Sequence, residues 1–148
     1  MSYTVSIQNV EAHPAALAIA VATRAQVVPV MLGLIGKVWD FLRSQGKRGG
    51  QNVAIYPFCS PGIRIEAGAL VIEPFEPSAE VILGKTPAGR AAMTIHMGAY
   101  EHLGRAHSAI REWCEANHHQ LQGTNWEIYG HWVADVAEQR TDVYYLLS

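Results

Sequence analysis

The feature that most constrains this chain is a pattern of elements written twice. Hydrophobic periodicity over the 148 residues reads as strand, helix, strand, strand, and then the same order again. Residues recur with it: Trp39 and Trp113 each close a helix stripe, 74 positions apart, and Asn52, Ile55 and Tyr56 return 73 positions on as Asn125, Ile128 and Tyr129. A βαββ unit of this size cannot cover its own sheet face. Two of them are therefore expected to pair about a pseudo-twofold axis and leave a cleft between them. The fold class read from this is α+β, with tandem pseudo-twofold βαββ repeats, antiparallel sheets, two main helices and a ligand cleft. One domain spans residues 1–148, with repeat one at about 1–72, a proline-punctuated connector at 73–80 and repeat two at about 81–148.

The elements follow from local signals. After a weak alternation over Val5 to Val10, the small and β-branched run Ala15 to Ala22 reads as a buried strand. Pro29 suits a first helical turn, and Val30, Met31, Leu34, Ile35, Val38, Trp39 and Leu42 make one apolar stripe, so a helix is predicted from about Pro29 to Ser44. Strands are predicted over Asn52 to Phe58 and Ile63 to Ile72, joined by a Ser60-Pro61-Gly62 turn. An Ala-Gly pair inside the second of these signals a bulge or close packing. Beyond the connector come strands at Val81 to Gly84 and Arg90 to Met97, a helix from about Tyr100 to Asn117, and strands at Asn125 to Trp132 and Asp142 to Leu147.

Several functions are excluded or disfavoured by composition. A formal net charge of -2 gives no electrostatic footprint for direct nucleic-acid binding. No run reaches the ~20 apolar residues of a membrane span, and the N-terminus has neither basic flank nor apolar core, so a cytoplasmic protein off the membrane is expected. Cys59 and Cys114 fit reduced thiols, Cys114 as an inert core residue. Six of the seven histidines lie in the second half, but His102 and His107 are five apart on a helix and do not share a face. Surface or packing roles are expected for them, with no metal site and no cofactor. The G-K-R-G-G loop lacks the context of a nucleotide loop.

The residue that asks for an explanation is Glu127, in the run G-T-N-W-E-I-Y-G-H-W from Gly123 to Trp132. It shares a strand face with Tyr129, and its repeat counterpart is Ala54, so the carboxylate is where the symmetry breaks. A carboxylate among aromatic rings is a seat for a cation, which gains cation–π contact and an ion pair in low dielectric. Tyr129, Tyr145 and Tyr100 are candidate walls for a flat ligand, and Trp39 is a weaker candidate.

Read together, T-P-A-G-R-A-A at Thr86 to Ala92, H-M-G-A-Y-E-H-L at His96 to Leu103, the helix ending I-R-E-W, and W-E-I-Y-G followed by T-D-V-Y-Y-L-L resemble the GyrI-like small-molecule-binding domains. These also serve as effector-binding domains of AraC-type and MerR-type multidrug regulators, and their fold is SOUL-like. The resemblance covers nearly the whole chain and is strongest from Thr86 onward. It implies that Glu127 holds cationic aromatic compounds, that Tyr100 and Tyr145 are pocket aromatics, and that Ile95 and Tyr129 are neighbouring wall positions. The first half departs from the pattern: Ala25-Gln26-Val27 stands where the family has G-P-Y, and its acidic loop is reduced to Tyr56-Pro57-Phe58. No DNA-binding segment precedes the domain, so the chain reads as a stand-alone binder.

Three functions stay open at this level. The first is capture of hydrophobic, often cationic, small molecules with Glu127 as anchor. The second is hydrolysis of strained electrophilic natural products of the cyclopropanoid type, with Glu127 as general base and Tyr129 or Tyr145 as hydrogen-bond or proton donor. The third is a gyrase-inhibitor-like interaction with a protein partner whose surface the sequence does not mark.

Overall fold

A computed structural model describes residues 2–58 and 62–148. The Ser60-Pro61 turn and the Cys59 thiol lie outside the described residues. Eight strands form one continuous antiparallel sheet, so the two βαββ repeats share a single sheet instead of keeping one each. In chain order the elements are β1 (Ser6–Val10), β2 (Pro14–Ala22), α1 (Val27–Ser44), β3 (Gly49–Tyr56), β4 (Ile63–Val71), β5 (Ile82–Lys85), β6 (Gly89–Met97), α2 (Leu103–Ala116), β7 (Leu121–Tyr129) and β8 (Arg140–Leu147). The spatial order is β1-β6-β8-β7-β3-β4-β2-β5. The halves join through β3 and β7, where Ala54 pairs with Glu127. Their edges are exchanged, because β1 pairs with β6 and β5 with β2.

Both helices lie on one face of the sheet. Residues alternate along each strand, so Ala54, Val143, Tyr129 and Tyr145 face the helices while Val53, Ile55 and Trp126 face the other way. That second face is also dry: Leu17, Val53 and Trp126 are at most 2% exposed, and Val10 of β1 and Ile82 of β5 pack on the same cluster. The two sheet edges therefore converge and the sheet rolls over its own outer face. At the far end the His13 N–H donates to Thr86 Oγ1 (2.8 Å) and the Thr86 N–H to the His13 carbonyl (2.9 Å), which ties the two edge connections together.

Helix α1 buries Met31, Ile35, Val38 and Leu42, and α2 buries Leu103, Ala106, Ile110 and Cys114. Each fully buried side chain of this kind contributes ~1.5–3 kcal/mol. The two stripes correspond at a shift of 72, not the 74 that the tryptophans suggested. Trp39 and Trp113 are thus not symmetry mates, and Trp39 stands opposite Arg111 instead. Both helices close in the same way. The Lys47 N–H reaches the Leu42 carbonyl and the His119 N–H the Cys114 carbonyl, with Gly46 (φ 66°) and His118 (φ 61°) in the left-handed turn between. The Ala67-Gly68 pair marks close packing: a Cβ on Gly68 would strike the Ala16 carbonyl oxygen.

By length and composition the helical segment Arg24–Ser44 is apolar enough to cross a membrane, against the expectation of no such run. Its charges at Lys37, Asp40 and Arg43 interrupt the apolar run in sequence but gather on the exposed side. Here the helix lies along the sheet, packed on β2, β3 and β4.

Candidate functional site

Between α1 and α2, over the sheet where β3, β7 and β8 run side by side, the molecule opens into a cleft of about 1120 Å³. That is ample for a drug-sized ligand. Val27, Val28, Met31, Leu32 and Ile35 of α1 form an apolar wall, Leu103, Gly104, His107 and Arg111 of α2 form the opposite one, and Glu127, Tyr129, Tyr56 and Tyr145 come from the sheet. Phe58, Trp132 and Tyr100 stand exposed at the mouth.

Glu127 is 5% exposed, and both of its oxygens are engaged. The Tyr129 hydroxyl donates to Oε1 at 2.6 Å, and His107 Nε2 lies 2.7 Å from Oε2. On its other side His107 Nδ1 lies 2.7 Å from the Tyr145 hydroxyl, which receives an N–H from Arg111 at 2.9 Å. Arginine can only donate, so the Tyr145 oxygen accepts from Arg111. An ionised carboxylate can only accept, so Nε2 carries the proton shared with Glu127, and in a neutral imidazole Nδ1 then accepts from the Tyr145 hydroxyl. The carboxylate is thus held by charge-assisted hydrogen bonds from a hydroxyl and an imidazole, with the guanidinium one hydroxyl further along the chain.

The tyrosines register that charge. Burial raises the Tyr129 hydroxyl well above the ordinary tyrosine range, and the Glu127 charge beside it adds to the shift. Tyr56 is raised for the same two reasons in the same order. Burial also raises Tyr145, with the Arg111 cation and its hydrogen bond pulling the other way.

Of the residues singled out in the sequence, Glu127, Tyr129, Tyr145 and Tyr100 come together in the cleft, Tyr100 meeting Tyr129 edge to face at 5.7 Å. Two do not. Ile95 is 39% exposed on the opposite sheet face, because Ala92, Thr94 and His96 take the inward positions of β6. Trp39 lies behind the wall and reaches the cleft only through Asn52, to whose Oδ1 its indole N–H donates at 2.6 Å. Conversely, sequence reasoning placed His107 among surface or packing histidines and passed over Arg111. Their signal was present: Leu103, His107 and Arg111 recur every four residues along the edge of the α2 stripe. Among the described residues no group of three metal-ligating side chains converges.

No family model matches the sequence, and no curated relative matches it either. Solved structures do match in fold. The EcmrR C-terminal domain superposes with a TM-score of 0.75 at 18% identity over 100% of this chain and 99% of that one, and in the EcmrR–DNA complex the match spans 57% of the longer chain. SAV2435 bound to tetraphenylphosphonium matches at a TM-score of 0.64 and 9% identity, over 100% of this chain and 94% of that one. A hydrolase from Listeria innocua matches at 0.59 and 9% identity, over 97% of this chain and 91% of that one. The eight-stranded sheet with its two helices and pseudo-twofold βαββ repeats is the GyrI-like fold.

Proposed function

We propose that this chain binds hydrophobic, cationic aromatic small molecules in the cleft between α1 and α2, with Glu127 as the anchor. The observation that carries this is a buried carboxylate in an aromatic, apolar cleft of ligand size, with no lysine or arginine within ion-pair distance among the described residues. A cation seated there pairs with Glu127 in low dielectric and stacks on Tyr129, Tyr100 or Tyr145, at ~0.5–2 kcal/mol for each ring. The fold shared with a tetraphenylphosphonium-bound protein and with the C-terminal domain of a DNA-associated protein supports a role in sensing such compounds. Tetraphenylphosphonium and its anionic isostere tetraphenylborate test the reading by calorimetry. The native chain is expected to bind the cation and not the anion, and Glu127→Gln to weaken the cation at least tenfold. Equal affinity of Glu127→Gln and the native chain for the cation rejects the anchor.

A second reading, hydrolysis of an electrophilic ligand, is favoured by the oriented chain from Arg111 to Glu127, which aligns a carboxylate base and a tyrosine hydroxyl in one cleft. The likeness to a hydrolase adds to it. The same incubations decide it when repeated with a strained electrophile, since a recovered product heavier by one water, lost in Glu127→Gln, marks turnover.

A further inference from the structure

Arg111 has no place in a site built for a bare cation. It lines the cleft, and among the described residues no carboxylate comes within ion-pair distance of it. Its guanidinium is held in place by two neutral oxygens, those of Tyr145 (2.9 Å) and Ser108 (3.3 Å). These use two of five N–H groups, leaving three and a full positive charge at the cleft wall. Arg24 brings a second guanidinium to the lining, against Glu101 and Glu127. A ligand that is only a cation gains at Glu127 and is repelled by Arg111.

We infer that the ligand class is dipolar: an aromatic body with a cationic or N–H donor end for Glu127 and a carboxylate or similar oxyanion for Arg111. This rests on the anchor role of Glu127. The two poles are the two ends of one hydrogen-bonded chain, Arg111 to Tyr145 to His107 to Glu127, so their separation is set by hydrogen bonds between side chains of α2, β7 and β8. A planar zwitterion laid along that chain pairs both charges while its rings meet Tyr145 and the apolar face of α1. A planar carboxylate also matches the guanidinium fork in a way that a lone carbonyl does not.

A rhodamine dye in methyl-ester and free-acid forms gives a matched pair, since both carry the same aromatic cation and only the acid adds a carboxylate. Fluorescence anisotropy at low salt is expected to show the acid bound about three- to tenfold tighter than the ester by the native chain. Arg111→Gln should abolish that ratio by weakening the acid while the ester, relieved of the guanidinium's repulsion, binds as well or better, and Arg111→Lys should retain part of it. The ester bound as tightly as the acid, or an Arg111→Gln loss that falls equally on both dyes, overturns the dipolar ligand and leaves the anchor standing. Failure of the anchor reads differently, as an unchanged ester affinity in Glu127→Gln. A native chain that binds neither dye counts against both.

Discussion

At the level of single residues, Glu127 is held by the Tyr129 hydroxyl and the His107 imidazole, and its tyrosine neighbours bear the consequence of its charge. Tyr129 and Tyr56 are pushed above their ordinary range first by burial and then by the carboxylate. A hydroxyl that holds its proton more tightly folded than unfolded stabilises the fold fully below the ordinary tyrosine value of ~10. That contribution is lost as pH rises from there through the raised folded values, because the unfolded chain releases its protons first. Absorbance titration of tyrosinate should therefore show a late-ionising class coincident with alkaline unfolding. Glu127→Gln, by removing the charge but not the burial, should move that class down towards the ordinary range without bringing it all the way. The residue scale is also where the sequence was legible in part. Period 2 placed Glu127 with Tyr129 correctly, because a strand face is a matter of parity. The same parity, applied to β6 once Ala92 is known to face the helices, removes Ile95 from the cleft. His107 and Arg111 were hidden because their role depends on which strand lies beneath α2, and periodicity within the helix does not say.

At the scale of elements, boundaries were readable wherever a local signal stops a helix or strand. Pro29 sits in the first turn of α1, and Gly46 takes the left-handed turn that ends it. The second helix shows the same closure without glycine. His118 holds φ at 61° so that the His119 N–H can reach the Cys114 carbonyl at 2.8 Å. A side chain with a Cβ in that conformation costs about 1 kcal/mol relative to glycine, and the exposed His118 imidazole makes no hydrogen bond among the described residues. His118→Gly is expected to raise stability by about 0.5–1 kcal/mol after allowance for the freer unfolded chain, a gain of roughly 1–4 °C in the melting temperature for a domain this long. Gly46→Ala should lower it by a similar amount, and differential scanning fluorimetry reads both. The long registers at which β1 and β5 exchange partners had no such local signal, since which strand neighbours which is decided by the rolled sheet.

At the scale of the whole molecule, the pseudo-twofold axis passes between Ala54 and Glu127, which pair directly across β3 and β7. Around that axis the polar chain exists on one side only. Ile35 stands where the second half has His107, Trp39 where it has Arg111, and Ala69 where it has Tyr145, while Tyr56/Tyr129 and Asn52/Asn125 are polar pairs kept in both halves. One repeat thus supplies an apolar wall and the other a carboxylate with its hydrogen-bond donors. Restoring the symmetry should be costly. In Ala54→Glu the new carboxylate would arise at a position that is 0% exposed, directly opposite Glu127, with Ile35 and Trp39 where the second half has His107 and Arg111. A buried, poorly paired charge beside a like charge costs on the order of 3 kcal/mol or more. Because protonation relieves both penalties, the loss should shrink as pH falls through the carboxylate range, and urea unfolding at neutral and mildly acidic pH measures that difference. Ala54→Gln, which adds the bulk without the charge, separates the two contributions. If it destabilises as much as Ala54→Glu at neutral pH, crowding accounts for the asymmetry of the cleft and the charge argument fails.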